Sequence, residues 1–148
     1  MEVQQDFREL LELFNAHKVE YLIVGAYALA LHGAPRFTGD LDILIKPEEG
    51  NALRIIAALD KFGFSSLNLS TTDLEKPDTI IQLGIPPVRI DIITSLTAVS
   101  WDEAFRGKVE GLLGDVCVYY LGRDQYVTNK KAIGRNKDMA DLEALGED

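Results

Sequence analysis

Gly33-Ala34-Pro35-Arg36-Phe37-Thr38-Gly39-Asp40-Leu41-Asp42-Ile43-Leu44-Ile45 is the stretch on which the reading of this chain turns. Residues 40–45 have the apolar character of a buried strand, yet Asp40 and Asp42 stand in it two positions apart. Side chains two apart on a strand share a face, so the two carboxylates project side by side from a segment that should be greasy. Such neighbours repel each other and lose hydration unless a cation lies between them. Mg²⁺ is the expected cation, a hard ion that binds through one or two carboxylates together with substrate phosphates. Just upstream, Tyr21 to Val24 reads as another apolar strand, followed by Gly25 and a short Ala/Leu helix.

The anomaly recurs downstream. Val88-Arg89-Ile90-Asp91-Ile92-Ile93 sets Asp91 in an apolar run, forty-nine residues after Asp42. If the two strands are neighbours in one sheet, the third carboxylate joins the first two. The alternative is that Asp91 only pairs with Arg89, which shares its strand face. An acidic pair at this spacing is weak evidence by itself, because thirteen aspartates in a chain of this length produce about one by chance. The combination of three acids on two strands carries more.

A length of 148 residues with 47% hydrophobic side chains fits one domain spanning 1–148 around a single core. No apolar run approaches the roughly 20 residues of a membrane span, and Met1 to Asp6 lacks the features of a signal peptide, so a cytoplasmic protein is expected. Cys117 is the only cysteine, which excludes an internal disulfide; Val116-Cys117-Val118 reads as a buried strand thiol. The net charge of −9 argues against a general nucleic-acid coat. Residues 123–137 nevertheless carry five bases against Asp124 alone, a local balance of +4, and residues 138–148 then carry five acids and no base.

Within that basic block, helical spacing puts Tyr126, Lys130 and Ile133 on one stripe with Val127 beside them. Lys130 thus sits in an apolar face, where it either snorkels or reaches a buried anion, while Lys131 falls toward solvent. The next helix places Asp138, Asp141, Leu142 and Leu145 on one face; Asp138 reads as a helix N-terminal charge and Asp141 as a partner for Arg135 or Lys130.

The remaining map is mixed α and β. Phe7, Leu10, Leu11 and Phe14 mark a first amphipathic helix, and Ala52, Ile55, Ile56, Leu59 and Phe62 another, opened by Pro47 and closed by Gly63. Residues 80–84 with 87–93 read as a hairpin around Ile85-Pro86-Pro87, and 109–113 with 116–121 as a second around Gly114-Asp115. Ser100 to Glu103 fits a capping box for a short helix whose Trp101 and Phe105 serve as core anchors. Residues 65–79, rich in Ser, Thr and Asp, read as a mobile loop.

Gly25-Ala26, thirteen residues, Asp40-Leu41-Asp42 and a separate strand Asp91 together resemble the nucleotidyltransferase superfamily that includes DNA polymerase β and the small antibiotic-modifying transferases. The run from Val24 to Ala28 with His32 to Asp42 is similar to small prokaryotic nucleotidyltransferase-like proteins, and Lys130 to Leu142 is similar to the tail of that group and of abortive-infection toxin transferases. The resemblance implies an α+β fold with a central mixed sheet, flanking helices and a helical C-terminus. It implies transfer of a nucleoside monophosphate from a nucleoside triphosphate to a hydroxyl on an RNA end, a protein side chain or a small molecule. It further implies a two-metal Mg²⁺ site held by Asp40, Asp42 and Asp91, which are also the catalytic residues, with Asp91 nearest the acceptor. Gly25, Ala26, Lys130 and Arg36 are the implied nucleotide contacts. His32 is expected as a helix C-terminal cap and Thr38 as a turn hydrogen-bonder. Ala26 departs from the family's Gly-Gly or Gly-Ser pair, lacking the serine hydroxyl and tolerating positive φ less well than glycine. The competing expectation is therefore a catalytically inactive nucleotide-binding or toxin–antitoxin interaction module of the same fold, with a homodimer or a partner protein left open.

Overall fold

Strand β1 (Tyr21–Val24) is buried along its whole length and occupies an inner position of the sheet. The computed structural model of the chain describes residues 4–35, 39–64, 68–85 and 88–147. Ahead of β1, helix α1 (Gln5–Ala16) buries Phe7, Leu10, Leu11 and Phe14, the stripe its i, i+3, i+4, i+7 spacing predicts. Helix α2 (Gly25–Leu31) follows β1 directly, and His32 is its C-cap residue, as expected. The Leu121 carbonyl accepts a hydrogen bond from His32 Nε2 at 2.8 Å, which ties this helix end to the segment that follows the strand Val116–Tyr120, the neighbour of β1 in the sheet.

Strand β2 (Asp40–Ile45) returns antiparallel to β1, and helix α3 (Glu49–Phe62) leads away from it, ending at Gly63 in the left-handed conformation with φ 102°. Asn51, fully buried at the start of α3, accepts from Glu20 N at 2.8 Å and donates to the carbonyls of Glu20 and Lys46 at 3.0 Å each. It thereby pairs the Glu20 N–H and adds a second hydrogen bond to each of the two carbonyls where the chain enters β1 and leaves β2.

Strands β3 (Ile80–Ile85) and β4 (Val88–Ile93) form the expected antiparallel hairpin; Pro86 and Pro87 at its turn lie outside the described residues. Helix α5 (Trp101–Arg106) starts on the expected capping box, with Ser100 Oγ accepting from Glu103 N and Glu103 Oε1 from Ser100 N, both at 3.1 Å. Strands β5 (Val109–Leu113) and β6 (Val116–Tyr120) make the second hairpin, and helices α6 (Arg123–Ile133) and α7 (Asn136–Ala144) close the chain. Among the described residues six strands form one mixed sheet in the order β3-β4-β2-β1-β6-β5, with β2–β4 and β1–β6 parallel and the other pairs antiparallel. No helix among the described residues is long and apolar enough to cross a membrane.

Three expectations are corrected. The polar segment 65–79 contains a helix, α4 (Thr71–Glu75), opened by a Ser70–Asp73 capping box and anchored by fully buried Leu74. Residues 65–67 of that segment lie outside the described residues. Cys117 is exposed, because the alternation of β6 turns Val116, Val118 and Tyr120 inward and Cys117 outward. Its Sγ donates to Glu110 Oε1 at 3.3 Å. Phe105 is no core anchor; its half-exposed ring stacks against Trp101 at 5.4 Å, with Lys108 Nζ 3.8 Å from its centroid, and Ala104 is the buried residue of α5.

Candidate active site

The register of three strands assembles the acids. β2 and β4 run parallel with Asp42 opposite Asp91 and Asp40 opposite Arg89, so all four side chains share one face on adjacent strands about 5 Å apart. On the other side of β2, Val24 lies opposite Asp42, which sets the carboxylate beside the first residue of α2. Gly25 there has φ +68°, and a Cβ on it would run into Asp42 Oδ2. Glycine is thus required twice over at this junction, by the left-handed backbone and by the carboxylate lying against it. Ala26, next in the helix, is buried.

Burial above all, then the charges of Asp91 and Asp40, pushes the Asp42 carboxyl up from 3.8 to about 6. Lys130 and Lys137 act in the opposite direction. Asp91 is 7% exposed, and its Oδ1 has no hydrogen-bond partner among the described residues. The protein places a cation of its own, Arg89, inside the cluster. Arg89 Nη2 donates to Asp40 Oδ2 at 2.9 Å and to Asp91 Oδ2 at 3.2 Å. The pairing of Asp91 with Arg89 and the gathering of Asp91 with the β2 acids therefore coexist, where the sequence suggested a choice between them.

Lys130 reaches this region from α6 but does not stand alone. Its Nζ lies 3.3 Å from Asp138 Oδ1 and 5.4 Å from the Tyr126 ring centroid. Asp138 is fully buried and also accepts from Arg135 Nε at 2.7 Å, Arg135 N at 3.1 Å and Arg135 Nη2 at 3.1 Å. These hydrogen bonds from Arg135, against the opposing effect of burial, hold its carboxyl down at about 2. The buried anion that Lys130 reaches is Asp138 on the neighbouring helix, so Asp138 is more than a helix N-terminal charge, while the charge of Asp141 acts on Arg135, one of the two partners expected for it. Lys131 is exposed, as expected.

The structure therefore brings Asp40, Asp42, Asp91 and Gly25 together, with Ala26 adjoining and Lys130 close enough to act on Asp42. Arg36 and Thr38 lie outside the described residues. Sequence reasoning missed the contact of Arg89 with Asp40, although alternation along β4 already put Arg89 and Asp91 on one face. It also missed Asp138 as the residue that holds Lys130, and the influence of Lys137 on Asp42.

Strand order, acid register and the glycine-led helix can be set beside solved structures. This is a nucleotidyltransferase fold. The chain superposes on a Thermotoga maritima protein assigned as a nucleotidyltransferase with a TM-score of 0.61 at 19% identity, covering 93% of this chain and 88% of that one. It superposes on the lincosamide antibiotic adenylyltransferase LnuA, bound to lincomycin, with a TM-score of 0.56 at 14% identity, covering 97% and 96% of the two chains. No protein-family model and no curated protein sequence matches the chain.

Among the described residues no three carboxylate, histidine or cysteine side chains form a ready-made metal cage. Mg²⁺ does not require one, since it is ordinarily held by one or two carboxylates plus substrate phosphates. The residues present fit that mode: two hard-oxygen side chains, Asp42 and Asp91, stand side by side, and Asp91 Oδ1 is buried and unpartnered.

Proposed function

We propose that this protein is a Mg²⁺-dependent nucleotidyltransferase that moves a nucleoside monophosphate from a nucleoside triphosphate to a hydroxyl acceptor. The observation that carries the reading is the convergence of Asp40, Asp42 and Asp91 on one sheet face beside the Gly25 backbone, within a nucleotidyltransferase fold. The acceptor oxygen bonds to the α-phosphorus as the bond from that phosphorus to the bridging oxygen breaks and pyrophosphate leaves. Asp91, deepest of the three, takes the hydroxyl proton directly or through water. Asp42 and Asp91 would hold Mg²⁺, with Asp40 beside them. Bound Mg²⁺ supplies charge stabilisation at the attacking and leaving oxygens and eases loss of the hydroxyl proton. Gly25 offers a side-chain-free backbone approach to the phosphates with the Ala26 N–H beside it, and Lys130 contributes positive charge to the leaving group.

Among acceptors, a small hydroxylated molecule fits better than RNA. The basic block 123–137 is largely committed within the protein: Arg123 donates to the Leu145 carbonyl at 2.7 Å and to Glu147 at 3.3 Å, and Lys130 and Arg135 share Asp138. Two of its cations, Lys131 and Lys137, lie exposed outside those contacts, a thin track for a phosphate backbone on a protein of charge −9. LnuA, a small-molecule adenylyltransferase by name, matches nearly the whole chain.

Thermal shift with each nucleoside triphosphate, with and without Mg²⁺, tests the reading. A ligand at about 100 times its Kd stabilises by about 2.7 kcal/mol, and that gain should require Mg²⁺ and vanish in Asp42→Asn. Absence of any Mg²⁺-dependent shift would overturn it. A catalytically silent nucleotide-binding module is the second reading, favoured by Ala26, which is buried and brings no hydroxyl to the phosphates. It keeps the shift but yields no pyrophosphate with any acceptor.

A further inference from the structure

Arg89 sits where a metal-binding cluster would be expected to hold only acids. One of its nitrogens, Nη2, serves both Asp40 Oδ2 at 2.9 Å and Asp91 Oδ2 at 3.2 Å. The guanidinium fork normally matches a carboxylate with two parallel bonds, and that bidentate form is the strong one. Here the fork is not used. Arg89 Nε is buried with no hydrogen-bond partner among the described residues, and so is Asp91 Oδ1, on the very carboxylate that Nη2 touches. An ion pair serving the fold alone would gain by rotating the fork onto Asp91 and satisfying both atoms. The arrangement instead spends one donor across two acids on neighbouring strands and leaves an oxygen of the deepest acid open. It is an incomplete clasp, sufficient to offset repulsion among three carboxylates and readily exchanged for something better.

We propose that Arg89 is a built-in stand-in for the divalent cation, bridging Asp40 and Asp91 in the nucleotide-free protein and giving way when metal arrives with nucleotide. The inference rests on the nucleotidyltransferase reading and adds an order of binding to it. Among the described residues Arg89 is the cation in hydrogen-bond contact with these carboxylates, so a divalent ion alone must displace it to use Asp91 fully. Metal accompanied by a triphosphate brings its own oxygen ligands and an anionic group to which the released guanidinium is suited. The protein thus resists loading by free metal and accepts the metal–nucleotide pair. Arg89 is a positioning residue in this scheme, acting through Asp40 and Asp91.

The test is Mn²⁺ binding followed by the loss of the free-ion paramagnetic resonance signal, at pH 8, for the wild type and for Arg89→Met, which keeps an apolar stem and removes the charge. Mn²⁺ suits the same oxygen ligands as Mg²⁺. Arg89→Met should bind Mn²⁺ alone at least tenfold more tightly than the wild type. Because a charge removed from a sheet can cost folding, a second readout uses the wild type: the Arg89 side-chain N–H resonance of nitrogen-15-labelled protein should shift as Mg²⁺ and a non-hydrolysable triphosphate analogue saturate the site. Equal or weaker Mn²⁺ binding by the variant, or an Arg89 resonance unmoved at saturation, would sink the stand-in. If those negatives come with normal metal–nucleotide binding, the stand-in alone fails. If neither protein binds metal with or without nucleotide, the nucleotidyltransferase reading fails with it.

Discussion

Replacing Asp42 with asparagine should make the metal-free protein more stable near neutral pH, although it destroys the proposed site. The carboxyl at this position titrates at about 6 in the folded chain against 3.8 as the ordinary value, through burial first and repulsion from Asp91 and Asp40 second. A folded-state value raised above the unfolded one means that the native protein retains a proton that the unfolded chain has lost. Stability therefore falls as pH rises from about 4 to 6, and the full penalty is present above that window. At about 1.36 kcal/mol per pH unit the shift corresponds to about 3 kcal/mol, and partial exposure of the side chain reduces the expectation to about 2 kcal/mol. Asparagine has nearly the same shape and does not ionise. Urea unfolding of both proteins in chelator, from pH 4 to 8, gives the difference in stability at each pH. Asp138 is present in both and cancels. The wild type should lose about 2 kcal/mol relative to Asp42→Asn across the range, with the bend near pH 6, and Mg²⁺ with nucleotide should restore it only in the wild type. A difference that stays flat, or that favours the wild type as pH rises, would refute the argument that burial, reinforced by the carboxylates of Asp91 and Asp40, raises the Asp42 carboxyl.

Other substitutions separate the parts of the site. Asp138→Asn strips the buried counter-charge from Lys130 and should cost about 3 kcal/mol in urea unfolding. In the wild type the same carboxyl, held down at about 2, should make stability fall as pH drops from about 4 to 2, a loss the variant lacks. Gly25→Ala combines a φ of +68° with a collision against Asp42, whereas Gly63→Ala meets φ +102° in open space. Both should lose about 1–2 kcal/mol to backbone strain, and Gly25→Ala alone should also lose Mg²⁺-dependent nucleotide stabilisation in thermal shift. Lys137→Gln should weaken nucleotide binding a few-fold in a fluorescent-analogue titration while Lys131→Gln does not, since Lys137 acts on Asp42. Cys117 should react completely with a thiol reagent in the native state, more slowly than a free thiol because its hydrogen bond to Glu110, then burial, raise its pKa; a native protein that labels only in denaturant would contradict its exposure.

The parts of this fold that could be read from the chain are those in which one local rule decides the outcome. Asp40 and Asp42 in an apolar strand, Gly25 after another, and the apolar stripe of α1 each state their own geometry, and the structure places them accordingly. What escaped depends on a partner or on two rules in conflict. In 65–79 a polar composition that argues for loop concealed a capping box and Leu74, and the cap together with the burial of one leucine prevailed. Cys117 was misread because a valine on each side suggested burial, while strand alternation, the stronger rule, turned valines and cysteine to opposite faces.

The candidate site shows the same division at higher stakes. Its acids announce themselves, since a carboxylate is costly in a buried strand and demands a reason. Its cations do not, because a lysine or arginine can be explained by solvent until the fold shows where it points. Lys130 stands out by its register, but Asp138 and Asp141 share a face of α7, and only the packing of α7 against α6 shows that Asp138 is the one it meets at 3.3 Å. Arg89 shows most clearly why sequence falls short. Its contact with Asp91 follows from alternation along one strand, whereas its contact with Asp40 exists only because β2 and β4 pair parallel in a register that sets Asp40 opposite Arg89. A shift of one residue in that pairing would turn the β4 side chains to the opposite face and separate Asp42 from Asp91. The register of two strands forty-nine positions apart is therefore the physical quantity on which both the acid cluster and its internal cation depend.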